Sequence, residues 1–508
     1  MKGAALLLLV LGAAPGCALV QGSKRPGSAS GADATAPDEV AAPAPMPVRW
    51  SRTEPPAPLP TMARSEPKST RVTLPNGLEV VVVEHHSRAL VSLRLFFPDG
   101  AAADPPERAG VTHFTLAGLL ATHDVKDALG DRLDPSEKSM RVLAREQGAS
   151  LRFDTGVDRA WIGLDGFSRD ASRYVEFLFR VVREARHGED AFDAHATSVS
   201  DALEELELTD AEALEQFLGR LSFGEGHPYA RPVYGTADSV SHMGIEDLLE
   251  RQATLLRPRG STLLIVGDVD PQAMIQAAHR SFGGWKSRTS QAAVKLPPPR
   301  VEVRRRVTYV PRKPAKTTLV CAARPLSDVQ APVPVWTVLA AVVTERLEQS
   351  LRERNGLTYS VAGSLFRLKQ AQALLVCTRI DARRTQEGLE TFLATLGSLS
   401  STPIEEAEVA RARARQAAWT EASVDDLGSV AGLYGQAVVM GEKVDVAERA
   451  AALRAVTVSD VEPLVKKAIR PELFQLVLSG ERALVAPAVK ELKLGTLVTP
   501  QLSRTPAD

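Results

Sequence analysis

The chain has little cysteine, three residues in 508, and this excludes a disulfide framework as the basis of its fold. Neither sign of charge prevails. Lys and Arg total 61 against 62 Asp and Glu, for a net charge of −1, so nothing drives the whole molecule toward nucleic acid or an anionic bilayer. A long apolar run is also missing: the stretch Ala4 to Ala14 is too short for a stable transmembrane anchor. Histidine is absent from the whole second half. All nine lie before residue 280, at His85, His86, His113, His123, His187, His195, His227, His242 and His279. A histidine-based metal site would therefore have to be built in the first half. What is present is ordinary globular composition, 44% apolar and 24% charged, which rules out a disordered, collagen-like or polytopic membrane chain. The length suits two or three domains rather than one core.

Lys2, the apolar run and the small residues Ala13, Ala14, Pro15 and Gly16 read as a secretory signal ending before Cys17. A cysteine at that place fits a bacterial lipobox, with lipid carried on Cys17; plain secretion is the alternative, and a buried N-terminal helix the bland one. Ala18 follows, so the aspartate that favours inner-membrane retention is absent. The expected location is the cell envelope, as an outer-membrane lipoprotein facing the periplasm, or secreted. Residues 18–69 are rich in Ala, Pro, Ser and Gly. They cannot bury enough apolar area to offset their ordering entropy, and are expected to form a tether.

The folded part is expected from residue 70. Arg71–Leu74 and Leu78–Glu84 read as strands joined at Asn76-Gly77, the pair that supplies two positive φ angles to a tight hairpin. Strands are expected at Val91–Phe97, Leu151–Asp154, Arg159–Leu164 and Ser261–Gly267. Helices are expected at 109–121, 173–186, 190–219 and 271–282. A basic, Pro-rich stretch, residues 289–306, separates residues 70–288 from residues 307–493, and residues 494–508 form a tail. The second half repeats the order: a strand at 317–322, a helix at 333–354, strands at 359–368 and 373–380, then helices. Phe177-Leu178 and Glu189-Asp190 recur at a constant offset as Phe392-Leu393 and Ile404-Glu405. The fold class is α+β: two homologous domains, each a mostly antiparallel sheet packed with helices, together forming a clamshell. Cys321 and Cys377 sit in apolar strands and are expected as buried reduced thiols rather than as a disulfide.

An ordered set of segments now carries a resemblance. It comprises Leu74-Pro75-Asn76-Gly77-Leu78, Ala109-Gly110-Val111-Thr112-His113-Phe114 and His227-Pro228-Tyr229-Ala230-Arg231-Pro232. It continues through Arg257-Pro258 and Gly267-Asp268-Val269-Asp270-Pro271 to Leu351-Arg352-Glu353-Arg354-Asn355-Gly356-Leu357-Thr358-Tyr359-Ser360-Val361. Over roughly residues 70 to 490 the chain resembles the insulinase/pitrilysin zinc metallopeptidases (M16), in their processing-peptidase-like branch. The resemblance implies an inverted zinc motif, H-x-x-E-H, on a helix. Two histidines at i and i+4 hold zinc, the glutamate activates a zinc-bound water, and a later helix adds a carboxylate ligand.

Here that stretch is His113-Phe114-Thr115-Leu116-Ala117. Leu116 stands at the general-base position and Ala117 at the second ligand. Leucine cannot take a proton, and alanine has no lone pair. His113 is the one retained family ligand, with a packed helix residue as its plain alternative. Carboxylates near the third-ligand place lie in Asp201-Ala202-Leu203-Glu204-Glu205; the run through Glu207 otherwise reads as a solvated helix face. Arg152 replaces the family's asparagine after Gly148. By contrast Arg352 and Tyr359 keep the spacing of a pair that, in the family, binds substrate backbone and steadies the reacting carbonyl; their plain alternative is packing around the Gly356 turn. His227-Pro228-Tyr229 reads as a structural turn.

No cofactor is therefore expected, no catalytic residue is intact, and any zinc belongs to a partner subunit. The resemblance implies a non-catalytic subunit of a heteromeric zinc peptidase, partnered by an H-x-x-E-H chain and acting on peptides or unfolded polypeptides. One alternative is a scaffold or peptide-binding lipoprotein without a role in proteolysis. The other is a stand-alone zinc peptidase with relocated ligands drawn from His123, His195 and His227.

Overall fold

Strand β1 (Ser69–Thr73) turns back into β2 (Glu79–Glu84), the two pairing antiparallel. At the turn only Gly77 takes a positive φ, +90°, which corrects the two-residue left-handed turn expected from Asn-Gly. Asn76 keeps an ordinary φ, and its side chain is engaged elsewhere. Its amide donates to the carbonyls of Phe282 (2.7 Å) and Trp285 (3.1 Å), tying the hairpin to a distant helix end. The structure is a computed structural model that describes residues 67–121, 139–185, 187–204, 223, 226–289, 294–297, 305–311, 316–326 and 329–499. The expectations for the signal, Cys17, nearly all of the tether, His123, Glu205 and much of the basic stretch fall outside these residues.

The first half is built on β1, β2, β3 (Leu90–Phe97), β4 (Ser150–Thr155), β5 (Ala160–Phe167) and β6 (Thr262–Gly267). They lie in the order β1-β2-β6-β3-β5-β4, antiparallel except for β2 with β6. The second half uses β7 (Val307–Pro311), β8 (Thr317–Pro325), β9 (Thr358–Leu368), β10 (Ala371–Asp381), β11 (Gln475–Gly480) and β12 (Leu497–Val498). Their order is β12-β7-β11-β8-β10-β9, with β7 parallel to both β11 and β12. From β2 to β4 and from β7 to β9 the two orders are the same path through a sheet. The duplication read from the sequence is thus a duplication of topology, and the α+β class is observed.

Helices cover one face of each sheet. In the first half these include α1 (Val111–Ala121), α2 (Met140–Glu146), α3 (Ala171–Glu184), α4 (Glu189–Glu204), α5 (Ala237–Ser241), α6 (Ile245–Leu255) and α7 (Pro271–Phe282). In the second they are α8 (Val333–Glu348), α9 (Thr385–Ser398), α10 (Glu406–Ala422), α11 (Leu427–Met440), α12 (Val446–Arg454), α13 (Val458–Ala468) and α14 (Arg482–Glu491). Strand alternation decides what each face meets. Val80, Val82, Leu93, Leu95, Leu263 and Ile265 bury against the helices of their own half. Val81, Val83, Phe96, Leu264 and Val266 point the other way, into α11 of the second half. This second apolar face explains why β2 and β6 are buried along nearly their whole length rather than alternating with solvent.

Two further contacts join the halves. His85 Nε2 lies 2.9 Å from the Val424 carbonyl. The β9–β10 hairpin docks on a buried carboxylate: Asp158 accepts from the Lys369 amide (2.6 Å) and the Tyr229 hydroxyl (3.0 Å). One expectation is reversed within the second sheet. Cys321 and Cys377 are directly opposed across β8 and β10, their Cα atoms 4.1 Å apart, and they form a disulfide instead of two reduced thiols. Strand composition marked both as buried but carried no information on register, and register is what brings the sulfurs together.

Candidate functional site

The segment Ala109-Gly110-Val111 opens α1 with a left-handed glycine, Gly110 at φ +94°. A Cβ there would meet the Gly235 backbone nitrogen at 2.7 Å, so the chain that follows His227-Pro228-Tyr229 packs backbone to backbone on the start of α1. Asp104, wholly buried, accepts from the amides of Gly110 and Thr112, both at 3.2 Å, and from the Thr112 hydroxyl. Arg251 lies 3.6 Å from the same carboxylate and donates to the Thr112 hydroxyl at 2.8 Å. Burial nevertheless outweighs these partners and pushes the Asp104 carboxyl up to about 6. The motif residues at 109–112 and 227–235 thus seat α1. His227 caps the Pro228–Ala230 turn through the Tyr229 amide and contacts the Pro297 carbonyl at 3.0 Å, a structural turn.

On α1, Leu116 is fully buried in the core and Ala117 is 7% exposed. His113 is buried among aromatic rings, 4.7 Å from the Tyr234 ring and 5.2 Å from Phe153, centroid to centroid. Its Nε2 lies 3.2 Å from Nε2 of His195 on α4, the two rings stacked, and its Nδ1 is buried without a partner. The contact requires one ring to donate N–H and the other to accept, so one proton is shared out between two neutral rings. Burial, followed by the charges of His195 and Arg141, drives His113 down to about 3. His195 is lowered for the same first reason. His195 of α4 reaches His113; the side chains of Asp201 to Glu205 lie outside the described ones. Of the three histidines considered for a relocated site, His227 is engaged with Pro297 rather than with this pair.

The resemblance implies zinc, and the residues do not fit a hydrolytic zinc site. Leu116 and Ala117 can supply neither the base nor the second ligand. Among the described residues two imidazoles meet and no group of three or more His, Cys, Asp or Glu side chains converges. Arg152, at the family's asparagine position, ion-pairs with Asp165 on β5.

The second half is arranged differently. After α8 the chain widens into a π-helical turn, Gln349–Arg354, anchored by the fully buried Leu351. Arg352 lies on this turn, exposed, with one donor on Glu348 at 2.9 Å. Gly356, at φ +58°, reverses the chain, and the Leu357 amide closes back on the Leu351 carbonyl at 2.7 Å. The chain then enters β9, an edge strand, where Thr358 pairs with Ile380 and Val361 with Thr378. Tyr359 and Ser360 therefore oppose the single residue Arg379, a β-bulge. The bulge turns Tyr359 out of the sheet, and it is 92% exposed. Sequence spacing singled out Arg352 and Tyr359; the π turn and the bulge that present them left no trace in residue type.

Known proteins resemble this chain in sequence and in fold. Residues 242–416 match the family described as Peptidase M16 inactive domain. An uncharacterized zinc protease of Mycobacterium leprae is 27% identical over 356 residues, 66% of this chain and 75% of that protein. A protease from Helicobacter pylori has a similar structure, with TM-score 0.69 and 17% identity, over 82% of this chain and all of that one. A peptidase M16 inactive domain from Pseudomonas fluorescens superposes with TM-score 0.68 and 18% identity, over 81% of this chain and 98% of that one. The class is therefore the two-part α+β clamshell of the M16-like peptidases. Residues 242–416 are thus similar to the M16 inactive domain, and the fold of the chain is similar to that of M16-like peptidases.

Proposed function

We propose that the chain is the non-catalytic subunit of a heteromeric M16 peptidase, contributing Arg352 and Tyr359 to substrate binding beside a partner that bears H-x-x-E-H and zinc. The observation that carries this reading is the contrast between the halves. The zinc side has closed over, with Leu116 in the core and His113 in an aromatic cluster. The arginine and tyrosine stand exposed on two backbone irregularities of the kind that recur at functional sites. Arginine brings a fixed donor fork to a peptide backbone, and a tyrosine hydroxyl can donate to a developing oxyanion. The substrate class is peptide or unfolded polypeptide, and the setting is the cell envelope, with the chain held through lipid on Cys17 or released.

The test is reconstitution of the full chain with an H-x-x-E-H partner and measurement of kcat/KM for peptide cleavage. Arg352→Ala and Tyr359→Phe are expected each to lower it by about 10²-fold, the scale of losing one oxyanion donor, with unchanged Tm. Unaltered activity in both variants would sink the shared-site reading and leave the scaffold role. Cleavage by the single chain holding one tight zinc would instead establish a stand-alone peptidase.

A further inference from the structure

The helical side of the first sheet holds a cavity of about 390 Å³, bounded by α3, α6, α7 and the segment after α7. That volume lies within the range of small-molecule sites. Its lining divides by chemistry. Phe179 and Trp285 offer flat apolar faces, while Arg280, Lys286 and Arg288 stand exposed around it. Among the described residues these three cations make no ion pair, and the described lining contains no carboxylate. Uncompensated like charges repel one another, an arrangement that an anion relieves.

We propose that this cavity binds a small organic phosphate. Phosphoryl oxygens accept from Arg280, Lys286 and Arg288, and the apolar part of the ligand lies against Trp285 and Phe179. Guanidinium forks match phosphoryl geometry bidentately, and three uncompensated cations around one cavity favour a multiply charged anion over a single carboxylate. The cavity belongs to the opposite half from Arg352 and Tyr359, so binding stands or falls independently of the subunit role. The same chemistry is offered by a free phosphate and by a phospholipid headgroup.

The experiment is calorimetric titration of the full chain with pyrophosphate and with ATP at about 50 mM salt, low enough to leave surface charges unscreened. Co-sedimentation with phosphatidylcholine vesicles, with and without phosphatidic acid, is the second arm. The comparison protein is Lys286→Glu with Arg288→Glu; both positions are exposed, so Tm should hold. Saturable binding of pyrophosphate or ATP, weakened at least about tenfold in the double variant (about 1.4 kcal/mol), supports a free phosphate. Binding only to phosphatidic acid vesicles, lost in the same variant, supports a headgroup. Trp285→Phe should keep the binding and remove an accompanying fluorescence change. Absence of saturable binding in both arms, or binding that the double variant retains, overturns the proposal.

Discussion

At the position where the resemblance implies a general base, the side chain is part of the core. Leu116 is fully buried and packs with the sheet residues beneath α1. Leu116→Glu would return the family's residue type to the helix, yet put an unpaired carboxylate where no donor awaits it. The expected cost is about 3–5 kcal/mol, the range for an uncompensated buried charge, read as a lowered urea midpoint at unchanged m-value. A cost under about 1 kcal/mol, typical of surface substitutions, would show the site still open to water and the closed-site description mistaken. Ala117 is nearly as enclosed. Its neighbour His113 is enclosed by aromatic rings and one imidazole partner.

At the scale of elements, glycine and irregular turns decide what the helices and strands present. α1 is seated by Gly110, whose positive φ and close approach to Gly235 both exclude a side chain. Gly110→Ala is expected to destabilise by at least about 2 kcal/mol, since left-handed strain and a backbone clash add. A thermal melt within a degree of the parent would contradict that seating. The motif Ala109-Gly110-Val111-Thr112 was readable as a helix start, and its partner His227-Pro228-Tyr229 as a turn. That the two meet was not readable, because sequence distance says nothing about which backbones touch. The π turn under Arg352 and the bulge under Tyr359 were equally hidden. Each arises from one extra residue in a ladder, and a ladder needs its partner strand or preceding turn before a residue counts as extra.

For the whole molecule the distribution of buried imidazoles sets a pH dependence. Burial lowers His113 to about 3 and His187 to about 4, and lowers His195 in the same direction. In the unfolded chain each takes up a proton near 6.5. The folded state therefore binds fewer protons than the unfolded one below that pH. Stability from these groups is complete above about 6.5 and is lost as pH falls toward the folded values. Asp104, raised to about 6, works the other way, its burial cost being relieved by protonation, as do Asp158, raised by burial, and His86, raised by its hydrogen bond to Asp268. The large depressions of His113 and His187 predict a Tm that falls from pH 7.5 to pH 5, with a shallower slope in His187→Asn. A flat or rising Tm over that range would mean these rings are solvated in the folded protein.

The residue order alone was enough for the α+β class, the repeat and most element positions, because hydrophobic periodicity and turn residues act over short stretches that each half uses twice. It was enough, too, to show that Leu116 and Ala117 cannot do the work of a base and a ligand, since that follows from what their side chains lack. Folding was needed for everything that depends on two distant stretches meeting. It opposed Cys321 to Cys377 through strand register, and it put His195 against His113. It also buried Val81 and Val83 beneath α11 and set Arg280, Lys286 and Arg288 around one cavity. Side-chain chemistry is carried by each residue, but which chemistries share a space is fixed only when the core closes.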